Sequence, residues 1–156
     1  MISHPCKTNP RCAALCLFLT AILAAQAVIA GSDSRILKID PNPVIGTTNM
    51  PDEMRAMFHA LGYESQYLVD PESHLRVETT MQDEQFRMRF VPGHAPGIRV
   101  DVHIRILDNV TGLHIERTSD ETPASVFEAE FDRIRERAEA EFGPKQVKES
   151  GWLFSP

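Results

Sequence analysis

The stretch "IRVDVHIRIL", residues 98–107, alternates almost without fault. Ile98, Val100, Val102, Ile104 and Ile106 share one parity, and Arg99, Asp101, His103 and Arg105 share the other. Side chains alternate across a strand with a period of two, so this is a strand with one dry face and one charged face. Such a strand narrows the choice of fold. Its apolar face needs cover, and antiparallel sheets are the ones that leave the opposite face in water.

Neighbouring stretches repeat the period. "HLRVETTMQ" places Leu75, Val77, Thr79 and Met81 on one face, "QFRMRFV" does so with Phe86, Met88 and Phe90, and "LHIER" turns Leu113 and Ile115 inward. "SQYLV" (65–69) is a further candidate strand, as is Arg35 to Ile39, which Pro41 and Pro43 bring to an end. The links "PGHAPG" and "DNVTG" are rich in turn formers. They are far shorter than a parallel crossover, so successive strands are antiparallel neighbours.

Two stretches carry the helical period instead. In "NMPDEMRAMFHALGY", Pro51, Asp52 and Glu53 suit a first turn, Gly62 suits the stop, and Met54, Met57, Phe58 and Leu61 form one stripe. In "TPASVFEAEFDRIRERAEAEFGP", Thr122 is the expected cap, Pro123 the first helical residue and Gly143-Pro144 the stop. Phe127, Phe131, Ile134, Ala138 and Phe142 make its stripe. The expected fold is therefore α+β: an antiparallel sheet of four to five strands, with an N-terminal and a long C-terminal helix packed on one face. The tail "GWLFSP", with Trp152, Leu153 and Phe154, is expected to dock back onto the core.

The chain has 156 residues, which suits one domain. Residues 1–30 read as a signal peptide. Lys7 and Arg11 precede the apolar run "CAALCLFLTAILAAQAVIA", and cleavage is expected after Ala30, leaving 31–156 as a single α+β domain. If the segment stays attached, the protein becomes a membrane-tethered structural component; once cut, it has no stable membrane insertion. Cys6, Cys12 and Cys16 all lie in the leader, so the mature chain has no thiol, disulfide or Cys-held metal. A thiol-free exported domain points to a bacterial periplasm, with secretion as the alternative. Removing Lys7 and Arg11 from the 16 basic residues leaves 14 against 22 acidic ones, a net charge near −8 that argues against nucleic-acid binding.

Against that acidic total, the outward strand positions are locally basic. His74, Arg76, Glu78, Gln85, Arg87, Arg89, Arg99, Asp101, His103, Arg105, His114 and Glu116 include five Arg and no Lys. Arg offers a planar fork to carboxylate or phosphate. The expected binding residues are Arg76, Arg87, Arg89, Arg99, His103 and Arg105. The bland account is a solvated sheet whose charges pair across strands for about 0.2–1 kcal/mol each. A zinc-type trio of His74, His103 and His114 has no local ligand motif behind it, Glu78 facing Asp101 is an ordinary surface pair, and His94 reads as an exposed loop residue.

Catalytic motifs are missing: there is no G-x-S-x-G, S-x-x-K, C-x-x-C or Gly-rich phosphate loop. The composition implies no cofactor and leans against an enzyme. The run from "ALGYES" to "LRVETTMQDEQFRMRF" resembles the YbjN and secretion-chaperone-like group over part of the chain, without a diagnostic motif and without that group's central helix. That resemblance implies a binding or chaperone-like role. The expected function is a small exported binding or accessory protein (inhibitor or chaperone-like), acting on a protein or an anionic surface or polymer. The alternative is a periplasmic hydrolase or isomerase with a cleft in the sheet face.

Overall fold

The computed structural model describes residues 34–40 and 49–153. Along them run β1 (Ser34–Ile39), α1 (Met50–Ala60), β2 (Tyr63–Ser65), β3 (Leu68–Val69), β4 (Arg76–Val77), β5 (Thr79–Gln82), β6 (Gln85–Pro92), β7 (Ile98–Arg105), β8 (Val110–Arg117), α2 (Ala124–Phe142) and β9 (Val147–Ser150). The class is α+β and the sheet is antiparallel. Among the described residues it has seven strands rather than four to five, in the order β2-β6-β7-β8-β1-β9, with β5 also on β6. Strand β2 pairs with the end of β6 and β5 with its start, on the edge that β7 leaves open. Because β1 precedes α1 and β9 follows α2, neither helix terminates the domain. The leader, residues 1–30, and Phe154 lie outside the described residues.

The strand at 98–105 is the centre of the dry layer. Ile98, Val100, Val102 and Ile104 are buried, and their partners carry the layer sideways: Val100 faces Ile115 and Phe90, and Val102 faces Leu113 and Met88. Each such side chain contributes about 1.5–3 kcal/mol when fully buried. Both helices cover this face. Met54, Met57 and Phe58 from α1 and Phe127, Phe131, Ile134, Ala138 and Phe142 from α2 join one cluster with it. Phe58 stacks on Phe90 with centroids 4.6 Å apart. Arg35 anchors α2 to β1: its guanidinium lies 3.5 Å over the Phe131 ring and donates to Glu149 and Glu128.

Three local readings need correction. The alternation through "HLRVETTMQ" breaks into two-residue β4 and four-residue β5, leaving Leu75 and Met81 64 % and 56 % exposed. Strand β3 pairs only with β4, so residues 67–77 form an arch with its own small sheet. Its turn is held by the Asp70 carboxylate, which accepts from the Ser73 backbone N–H. Ile106 lies beyond the end of β7 and is exposed, because the strand gives way there to a turn through Asn109, whose φ is 53°.

Thr122 does not cap α2. Pro123 occupies the N-cap, and the Thr122 hydroxyl instead donates to the Pro96 carbonyl at 2.9 Å. This bond seats the "PGHAPG" loop on the start of α2. It requires Gly97, which has φ +83° and passes so close that a Cβ would stand 2.1 Å from Thr122 Oγ1. The tail also differs from expectation. Leu153 packs on the outer sheet face, where a Cβ on Gly112 would meet its Cδ2 at 2.7 Å, while Trp152 stays 75 % exposed. Gly97→Ala should lower stability by roughly 2–4 kcal/mol through the left-handed backbone and the lost loop contact. Gly93→Ala, with nothing near its Cβ, should change it little. Equal urea midpoints for the two variants would contradict this account.

Candidate functional site

Register lays out the charged face in rows. One row runs Thr80, Arg87, His103, Gly112, Lys38, Lys148; the next runs Arg89, Asp101, His114, Ile36, Ser150. Lys38 and Lys148 are additions that the sequence pattern missed, because nothing local to β1 or β9 announces their place in the sheet. Arg76 is a subtraction. It belongs to β4 on the arch, with its guanidinium 5.1 Å from the Tyr67 ring centroid. His74 and Glu78 leave the face as well: His74 sits in the arch turn with φ 57°, and Glu78 faces Arg55 of α1 at 3.4 Å. The imagined Glu78–Asp101 pair is therefore not formed.

Most of the remaining arginines are already occupied. Arg89 grips Asp101 through two bonds of 2.6 and 3.1 Å. Arg99 reaches Asp101 at 3.5 Å and bonds Glu116, closing a chain of four charges across β6, β7 and β8. Arg105 bonds Asp108 in the turn. This is the cross-strand pairing that a wet sheet face uses for its own stability. Arg87 differs. Among the described residues no carboxylate pairs with it, and its buried Nε has no hydrogen-bond partner. The Nε atoms of Arg55 and Arg99 are buried without a hydrogen bond too, but each has a carboxylate oxygen 3.4–3.5 Å away.

Arg87 opens into a cleft of about 270 Å³. Its floor is the sheet face, with Arg87, His103 and the Arg89–Asp101 pair. Its wall is the arch, through Leu68, Val69 and Pro71. Burial first, and Arg87 second, hold His103 below the ordinary imidazole value, so it is neutral near pH 7. With Arg89 and Asp101 cancelling, the cleft carries one uncompensated positive charge. A second ligand geometry, the three-histidine metal site, is not assembled: His114 stands opposite Asp101 and His74 is on the arch. Among the described residues no group of three or more His, Cys, Asp or Glu is gathered to hold a metal ion.

The helix side holds a polar cluster that sequence reading passed over. Glu130 lies on the apolar stripe of α2, its side chain 8 % exposed. It accepts from the Tyr63 hydroxyl at 2.6 Å and from Arg133 at 2.6 Å, and His94 Nε2 lies 3.2 Å away. Arg133 also donates to the Leu61 carbonyl and stands 2.6 Å from His94 Nε2. Arginine only donates, so that ring nitrogen accepts, and its lone pair is committed. The cluster ties the end of α1, β2 and the 92–97 loop to α2. A groove of about 350 Å³ runs past His94 and the start of α2, with Glu121 in its lining. One signal did mark this site: Glu130 stands three residues after Phe127, a charge at a core position of the helix.

No known family model matches the chain, and no curated protein matches it in sequence.

Two groups should shape stability in acid. His103, held neutral in the fold, contributes stability that is complete above its unfolded value near 6.5 and declines as pH falls below it. For Glu130, burial raises the carboxyl, but the hydrogen bonds from Arg133 and Tyr63 outweigh it and leave it below 4.5. Its contribution is present above pH 4.5 and is lost as pH falls through the lower, folded value. Urea midpoints should therefore fall in two stages on acidification. His103→Gln should remove the first stage. Glu130→Gln should cost about 1–3 kcal/mol at pH 7, with the gap to native closing in acid. A gap that stays constant with pH would refute the assignment.

Proposed function

We propose that this is a small, non-enzymatic accessory protein, exported to the periplasm, that binds an acidic partner protein through the outer face of its sheet. The observation that carries the reading is Arg87. Its neighbours have spent their charge on each other, whereas its guanidinium is half-buried, unpaired by any described carboxylate, and lies in a cleft. A hydrogen bond to a charged group contributes about 1.5–3 kcal/mol, which a partner's carboxylate on this guanidinium would supply. The overall acidity of the chain works against an acidic partner at long range, so capture depends on this one fork at short range. Arg89, Arg99 and Arg105 then serve as scaffold for the face, with His103 as a contact beside Arg87.

The test is crosslinking capture of partners from the protein's own periplasm. The native form should capture a specific protein, Arg87→Glu should lose it, and the same reversal at Arg137, on the exposed side of α2, should leave capture unchanged. Equal capture by native and Arg87→Glu would return the outer face to a solvated surface.

A further inference from the structure

The cleft also limits what can enter it, and this inference rests on the reading of Arg87 just given. At about 270 Å³ it lies just below the ~300–1,000 Å³ of most small-molecule and cofactor pockets. That volume suits a single residue-sized group. Its two sides differ in kind. The floor supplies one unpaired guanidinium beside a neutral imidazole, with the neighbouring charges already cancelled. The wall supplies aliphatic surface from Leu68, Val69 and Pro71, of which Val69 is 64 % exposed and has no apolar cover of its own. A dianion would leave one charge uncompensated in a partly dry site, and a neutral group would leave Arg87 as it is.

We propose that the cleft binds one monocarboxylate bearing an apolar body, with the carboxylate on the Arg87 fork and the apolar body against Leu68, Val69 and Pro71. Two sources share this chemistry: the C-terminal residue of a peptide with an aliphatic side chain, and a short fatty acid. Thr80, in the same row as Arg87, edges the carboxylate end of the cleft.

Titration calorimetry of the purified protein with N-acetyl-leucine, octanoate and N-acetyl-leucinamide tests this. At least one acid should bind about tenfold or more tightly than the amide, and Arg87→Gln should lose that preference while keeping the native circular dichroism and thermal midpoint. N-acetyl-leucine alone binding identifies a peptide terminus, octanoate alone a fatty acid, and both support the shared chemistry. The amide comparison needs no variant, so a misfolded Arg87→Gln leaves the test standing. Amide and acid binding equally, Arg87→Gln binding the acid as tightly as native, or no heat from either acid at about 10 mM would overturn the proposal. Arg87-dependent capture of a protein partner without binding of any small carboxylate would sink this inference alone. Carboxylate binding with no captured partner would sink the accessory-protein reading alone.

Discussion

Everything in this fold answers to the need to keep the inner face of β7 dry. Ile98, Val100, Val102 and Ile104 are buried to within a few per cent, and no strand can achieve that by itself. The flanking strands extend the layer, and the two helical stripes close over it. Even the polar devices on that side serve the same end. Arg35 lies across Phe131 and ties α2 to β1, and the Glu130 cluster fastens α2 to β2 and the loop beside it. A buried carboxylate with this many donors costs little and positions a great deal.

The opposite face inherits its character from the same alternation. Because odd residues of β7 must point outward, they must be polar, and polar residues opposite one another across antiparallel strands find partners. Arg89, Asp101, Arg99 and Glu116 do so almost completely. A basic patch read from composition thus becomes, in three dimensions, a lattice in which most of the described arginines are paired and Arg87 is not. That difference, and not the number of arginines, distinguishes a recognition surface from an ordinary wet sheet.

What could be read from the sequence follows the range over which the physics acts. The alternation at 98–105 and the stripes of α1 and α2 are local periodicities, and each became the element it announced. The seven-strand order was not legible, because β1 pairs with β8 from far away in the chain and β9 pairs with β1. The arch was misread as strand because Leu75, Val77, Thr79 and Met81 alternate without being covered by anything. Of the expected contacts, Arg87 and His103 do meet in one cleft, and Arg76 does not belong to it. Glu130 was visible as a charge on an apolar stripe, but its partners Tyr63, His94 and Arg133 are brought to it only by the fold.

The closed chain of charges from Arg89 to Glu116 bears on how this sequence can change over time. Altering Asp101 strands Arg89, and altering Arg99 strands Glu116, so their effects are coupled, and tolerated changes there come as compensated pairs. Arg87 stands outside that chain, since no carboxylate among the described residues pairs with it. Drift at position 87 is therefore cheap for the fold, and an arginine kept there through divergence is kept for what it meets outside the molecule.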